Sequence, residues 1–167
     1  MEKWLIFFLF LNLSIYGKKT VPNYSFSLKT LDTFNPGVNL EVIKKKYPNT
    51  QLFKKEGKLY RTYIKHSQYN FPVFFKIKNK KVTSFFARLP TFFLHDLFHQ
   101  SLIDRYGKQD LYKKVNKSAL YFWNNEKGIK FTYKGECTIT CFPSYLSGES
   151  AATPDGTKSI LQELSVF

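Results

Sequence analysis

The chain has 167 residues and a formal charge of +14, from 26 Lys and Arg against 12 Asp and Glu. Apolar residues make up 43% of it and aromatic residues 19%, which excludes a disordered tail because such tails bury too little surface to offset their chain entropy. Two cysteines exclude a disulfide-dense miniprotein, and the length fits one folded domain, which we expect at 36–167.

Residues 1–17 have the pattern of a secretory signal peptide. One lysine is followed by about ten apolar residues and then by Gly17, a run shorter than the roughly 20 apolar residues that span a bilayer. An uncleaved N-terminal anchor is the alternative. No later stretch is long and apolar enough to span a membrane. We therefore predict export to the periplasm or the extracellular space, with no transmembrane segment once the signal is removed.

A lead-in at 18–35 lacks periodicity, and we expect it to be extended. A short helix should follow, because Asn35 can cap it and Pro36 suits its first position, with Thr33 as a competing cap. Three lysines suit the C-terminal dipole of this helix, and Pro48 ends it.

Two hairpins are predicted next, around turns at Glu56-Gly57 and Asn79-Lys80, since Gly and Asn tolerate a positive φ. In the second hairpin apolar residues alternate with Phe74, Lys76 and Lys78, a pattern typical of an antiparallel sheet covered on one face. The predicted strands are 51–55 with 58–65, and 73–78 with 81–88.

A second helix is predicted after Pro90, with Thr91 as its cap and Gly107 at its end. Its apolar residues recur at helical spacing and should face the core; they are Leu94, Leu97, Phe98, Leu102 and Tyr106. We then expect a third hairpin of 119–123 with 129–134, a strand at 137–142, a loop at 147–157 and a terminal helix at 158–164.

These elements predict an α+β fold, an antiparallel sheet built from several hairpins with two helices packed on it. Segments 40–48 and 101–107 both run from an apolar pair through charges to Tyr and a helix breaker, and both precede a hairpin. This similarity predicts two helix–hairpin repeats.

At these segments, and at the aromatic strand Tyr121-Phe122-Trp123, the chain resembles exported bacterial modules of the β-lactamase-inhibitor-protein and small outer-membrane-assembly lipoprotein type. The resemblance covers roughly 36–142. It implies a non-enzymatic α+β binding domain that uses one sheet face on a protein partner. The chain departs from the lipoprotein members in lacking a lipidation cysteine, and its positive charge departs from that of an inhibitor of a basic enzyme.

Almost all of the excess charge lies in the first half of the predicted mature chain. Residues 18–88 hold 16 Lys and Arg against three acids, a net +13, whereas 89–167 hold nine against eight, a net +1. This asymmetry predicts a basic, aromatic surface for an anionic protein, glycan or lipid, with a merely solubilising face as the alternative. Export disfavours nucleic acid as the partner. The predicted binding residues are Lys54, Lys55, Lys58, Arg61, Lys76, Lys78 and Lys80.

Two further pairs could carry chemistry. His95 and His99 lie one helical turn apart, a spacing that a metal site can use, but a third ligand is missing nearby, so we predict two partly exposed histidines and no metal or cofactor. Cys137 and Cys141 would lie about 13 Å apart on a straight strand, so a disulfide requires a bend between them. Export favours that bond, and paired buried thiols are the alternative.

The sequence thus favours an exported, non-enzymatic binding protein with no nominated catalytic residue. A small exported hydrolase with a site near His95 or His99 is the alternative from another class. A subunit of an envelope assembly is the third reading.

Overall fold

The computed structural model describes residues 26–67, 69–91, 93–137, 141–153 and 158–164. The predicted signal peptide at 1–17 and the lead-in as far as residue 25 lie outside the described residues. The helices are α1 Leu40–Lys46, α2 His95–Tyr106 and α3 Ile160–Glu163; the strands are β1 Gln51–Lys54, β2 Leu59–His66, β3 Tyr69–Lys78, β4 Lys81–Arg88, β5 Leu111–Val115, β6 Ser118–Glu126, β7 Ile129–Cys137 and β8 Cys141–Ser150.

All eight strands form one antiparallel sheet in the order β1-β2-β3-β4-β8-β7-β6-β5. The predicted α+β class is confirmed. Each of the two long meanders, β1–β4 and β5–β8, follows one helix, and the last strands of the two meanders pair at the centre of the sheet. Whether the halves are copies of one unit stays a prediction.

One face of the sheet carries the main core, and we call it the helix face. Alternate residues of the central strands point there, such as Phe75, Phe85 and Tyr133, all fully buried. They pack against apolar residues of the N-terminal segments and of α2, among them Ile43 and Leu102. Burying a side chain of this size contributes roughly 1.5–3 kcal/mol, so the helices are held mainly by this contact.

The opposite face is covered only in part, by the short helix α3, and we call it the α3 face. Ile160 and Leu161 pack there with Phe86 and Tyr145, whose rings lie 5.2 Å apart. A capping box at Ser159 begins this helix, since its hydroxyl accepts from the Gln162 N–H and the Gln162 side chain accepts from the Ser159 N–H. Among the described residues, the α3 face therefore has a small second core, and ring residues beyond it such as Tyr63 are exposed.

The N-terminal part of the domain differs from the prediction. The segment expected to be extended forms a 3-10 helix at Leu28–Phe34, because Leu28, Leu31 and Phe34 recur every three residues and all three are buried. Asn39 caps α1 in place of Asn35 or Thr33, and its side chain accepts from the backbone of the first turn at 3.0 Å.

The second helix starts three residues later than predicted and is rotated. It begins at His95 rather than after Thr91. Leu94 and Leu97, expected in the core, are 43% and 40% exposed. The buried side is formed by His95 together with the aromatic and leucine residues of the next two turns. The rotation is consistent with a contact under the helix, because the His95 Nδ1 lies at hydrogen-bond distance from the Tyr133 hydroxyl.

The second half contains three more corrections. β5 was not predicted, because all five of its residues are exposed at the edge of the sheet and show no alternation. The predicted strand 137–142 is wrong, since Cys137 ends β7 and Cys141 begins β8, and the chain reverses between them. The predicted loop at 147–157 is wrong as far as residue 150, which still belongs to β8.

The reversal brings the two cysteines together. Their Cα atoms lie 4.0 Å apart, and the sulfurs are joined in a disulfide. Such a pair is compatible with an exported protein. In the described part of the chain, no helix has the length and apolar character needed to cross a membrane.

Reduction should add two hydrogens to the mass of the intact protein. Because the bond closes a loop of about five residues, the double variant Cys137→Ser/Cys141→Ser should lose about 2 kcal/mol of unfolding free energy in urea titrations. The reduced wild type is the matched control, and its unfolding free energy should equal that of the double variant. An unchanged mass on reduction would contradict the bond.

A second prediction concerns Gly148, where β8 passes the rings of Phe85 and Phe131. A Cβ at this position would collide with the Phe85 ring and lie 3.0 Å from the Phe131 ring, and both rings are buried. Gly148→Ala should therefore cost about 1–3 kcal/mol, measured by urea unfolding. Ser118→Ala, a half-buried position on β6, should change stability by under about 0.5 kcal/mol. Equal stability of the two variants would count against this packing.

Candidate anion-binding cleft

A cleft of about 610 Å³ opens on the α3 face, where three parts of the chain meet. One wall is the connection between β1 and β2, and a second is the turn end of the β3–β4 hairpin. The third is the end of β8 with the segment that leads into α3. The volume lies in the range of small-ligand sites.

Lysine dominates the charged lining. Five lysines line the cleft against one acid, Glu149, a net +4 that the ion pair of Lys76 with Glu163 lowers to +3. Moreover, Glu149 is already engaged, because its carboxylate accepts from the Ile160 N–H at 3.0 Å. Like charges lining a concave site focus the potential there, so the cleft attracts anions more strongly than scattered surface lysines would. The five lysines are Lys55, Lys58, Lys76, Lys78 and Lys158.

Lys76 binds α3 to this site. Its ammonium donates to the Glu163 carboxylate at 2.7 Å and to the Lys158 carbonyl at 3.2 Å. Both partners of the ion pair are largely covered, with side-chain exposures of 14% for Lys76 and 22% for Glu163. Lys54 reaches the backbone carbonyl of Glu163 at 3.4 Å. A carboxylate is thus the group that the chain itself places against Lys76.

Arg61 lies beside the cleft on the same face, held between two exposed rings. Its guanidinium carbon is 5.2 Å from the centroid of Phe53 and 5.3 Å from that of Tyr63, and these rings are 42% and 39% exposed. Among the described residues, no carboxylate forms an ion pair with Arg61. We call Phe53, Arg61 and Tyr63 the arginine ledge. These two cation–π contacts hold the guanidinium group while leaving N–H donors for an oxyanion.

The ledge and the cleft are neighbours. Arg61 is directly opposite Phe74 in the sheet register, and Lys76 is two residues further along β3 on the same face. Such diagonal neighbours lie about 7–8 Å apart. Lys54 is close to both, since it follows Phe53 and contacts the end of α3. The surface is therefore continuous.

The seven predicted binding residues divide into three groups. Four of them line the cleft, namely Lys55, Lys58, Lys76 and Lys78. Lys54 and Arg61 lie beside it as described. Lys80 stays apart in the β3–β4 turn, where its carbonyl accepts from the Leu40 N–H at 2.9 Å.

Sequence reasoning missed the C-terminal wall of the cleft. Lys158 and Ser159 come from a segment interpreted only as loop and terminal helix. The contact between Lys76 and Lys158 joins residues 82 positions apart. No local pattern carries such a pairing. The spacing of Ser159 and Gln162 is a signal for the start of a helix, but it does not predict where that helix packs on the sheet.

The histidine pair lies on the other side of the sheet. His95 is buried, which corrects the prediction of two partly exposed histidines, and its Nδ1 lies 2.8 Å from the Tyr133 hydroxyl. His99 is half-buried, with its ring 4.0 Å from that of Tyr121. Among the described residues, no group of three or more His, Cys, Asp or Glu could hold a metal ion.

Burial lowers the pKa of His95, and Asp96 opposes this shift. Burial also lowers the pKa of His99, and the neighbouring His95 adds to the effect. Burial raises the pKa of the Tyr133 phenol, which keeps it protonated beside the imidazole. The pair is therefore neutral at pH 7 and forms part of an aromatic cluster under α2.

Acidification should destabilise the fold through His95. The histidine of the unfolded chain takes up a proton as the pH falls below about 6.5, whereas the folded one resists. The unfolding free energy should decrease between pH 7.5 and 5.5, by at most about 1.4 kcal/mol per pH unit for this group. Urea titrations of His95→Gln should show a flatter pH dependence.

His66→Gln serves as the matched control. Burial lowers the pKa of His66 as well, but its side chain is only half-buried, so the flattening should be smaller. Equal slopes for wild type and His95→Gln would contradict the role assigned to burial of His95.

The chain was compared with protein-family models, with curated proteins and with solved structures. None of the three comparisons found a match. The resemblance to the exported inhibitor and assembly modules therefore stays a prediction from the sequence.

Proposed function

We propose that this protein is an exported, non-enzymatic binding protein whose lysine-lined cleft takes an anionic partner. The observation that carries the proposal is the convergence of five lysines from three parts of the chain on one cleft. Four of them come from the basic first half and one from the nearly neutral second half.

The charges of the residues that line the cleft support an anionic partner. Lysines brought close together repel one another, and an anionic partner relieves that repulsion. Only Lys76 has an internal carboxylate partner in the described part of the chain, and the other four lining lysines have none. An ammonium is a point charge on a flexible stem, so it suits an extended anionic surface better than one fixed geometry.

Two features support an exported protein. The first 17 residues have the composition of a signal peptide, and the cysteine pair is at disulfide distance. Disulfides persist in oxidising compartments such as the periplasm and the extracellular space. A partner from the cell envelope or from the surroundings of the cell fits both features.

The proposal is tested on a sulfated resin with the full mature chain. The triple variant Lys55→Gln/Lys58→Gln/Lys78→Gln should elute at a clearly lower salt concentration than wild type, because focused attraction is lost and the remainder is screened. The measurement is the elution salt of each protein in one gradient.

The matched control removes the same charge elsewhere. Lys113, Lys114 and Lys117 are exposed in or beside β5, in the other half of the sheet. Their triple change to Gln should lower the elution salt much less. Equal shifts for the two triple variants would mean that only net charge matters, and the cleft would then not be the binding site.

A further inference from the structure

We propose that the anionic partner is an acidic glycan, a carbohydrate chain with carboxylate groups, that runs from the lysine-lined cleft onto the arginine ledge. This inference rests on the proposed function and assigns its ligand class. Three observations carry it: the hydroxyl content of the cleft, the geometry of the ledge and the continuity between them.

The cleft offers a polyhydroxylated ligand more than charge. Beside the lysines its wall presents hydroxyl and amide groups, which can both donate to and accept from sugar hydroxyls. None of the described lining residues is aromatic, so the cleft provides no ring on which a nucleobase could stack. The polar lining groups are Asn79, Thr83, Ser84, Ser150, Thr153 and Ser159.

The ledge combines the two contacts that an acidic sugar needs. A sugar ring has an apolar face, and the exposed ring of Tyr63 offers a flat apolar surface of matching size. Beside it the Arg61 guanidinium makes cation–π contacts with both ledge rings, and no carboxylate of the described residues forms an ion pair with it. A guanidinium binds a carboxylate through two parallel hydrogen bonds.

Continuity favours a chain over a single small anion. The ledge and Lys76 lie on the same face across adjacent strands, with Lys54 beside both. Cationic side chains therefore follow one another along this face about 7–8 Å apart, so a chain with several carboxylates can contact more than one of them. Single-stranded nucleic acid fits less well, because the described residues that line the cleft include no aromatic ring for its bases.

The experiment is a calorimetric titration of the full mature chain with tetragalacturonate, which carries four carboxylates. Arg61→Gln should weaken its affinity about tenfold, as expected for a lost charge-assisted pair. Tyr63→Leu should weaken it to a similar extent. Tyr112→Leu is the matched control, because Tyr112 is an exposed ring on β5 in the other half of the sheet, and it should leave the affinity unchanged.

Two comparison ligands distinguish an acidic glycan from a neutral sugar and from a nucleic acid. A neutral tetrasaccharide should bind far more weakly than tetragalacturonate. Pentathymidylate without terminal phosphates also carries four charges, and it should bind more weakly as well. If it binds as tightly, or if Arg61→Gln and Tyr63→Leu both leave the affinity for tetragalacturonate unchanged, the glycan assignment is wrong.

Failure of this inference differs from failure of the proposed function. If tetragalacturonate does not bind but the cleft variant still elutes early from the sulfated resin, the cleft is an anion site for another class of ligand. Thermal melting of each variant checks folding, and Arg61→Gln keeps the test open if Tyr63→Leu does not fold, since the arginine side chain lies on the surface of the sheet.

Discussion

The pairing of β4 with β8 is the constraint on which the rest of the structure depends. It joins two meanders that are otherwise separate into one sheet, with Phe85 opposite Gly148 and Ser84 opposite Glu149. The first of these contacts requires glycine, because the Phe85 ring occupies the space that a Cβ would need. The second sets the end of β8 beside the β3–β4 hairpin, where the cleft opens.

The sheet that this pairing forms has two faces, and they differ in the size of the core that each one buries. Of the eleven buried aromatic residues in the described part of the chain, the core of the helix face holds nine, and the histidine pair lies on the same face. In the described part of the chain, the α3 face carries a small core of five buried residues. Lys76 and Lys78 point to this face because the apolar residues that alternate with them, Phe75 and Ile77, point to the other. Basic charge and apolar burial are thus two consequences of one alternation.

The Lys76–Glu163 ion pair shows how the fold organises that charge. A largely covered ion pair offsets its desolvation only when further hydrogen bonds satisfy its partners, and the Lys158 carbonyl supplies one to Lys76. The pair holds α3 at the edge of the cleft and brings Lys158 to the other lysines. That contact adds a third wall to the two that the first half of the chain forms.

Most elements could be predicted from the sequence because their signals are local. The turn at Asn79-Lys80 and the alternation on both sides of it predicted the second hairpin closely, and β4 was predicted residue by residue. Elements that depend on contacts with residues far away in the chain were not predicted correctly. The rotation of α2 depends on Tyr133, which lies 38 residues after His95, and β5 forms only because β6 offers an edge.

The sequence by itself determined the α+β class, the basic first half and most of the cationic residues, because composition and periodicity are properties of neighbouring residues. Only the tertiary structure decided which lysines share a cleft and that Arg61 lies between two rings. It also decided that the cysteines meet across a reversal of the chain. The physical reason is that these contacts depend on strand register and on the docking of α3, and both are set by packing between residues far apart in the chain.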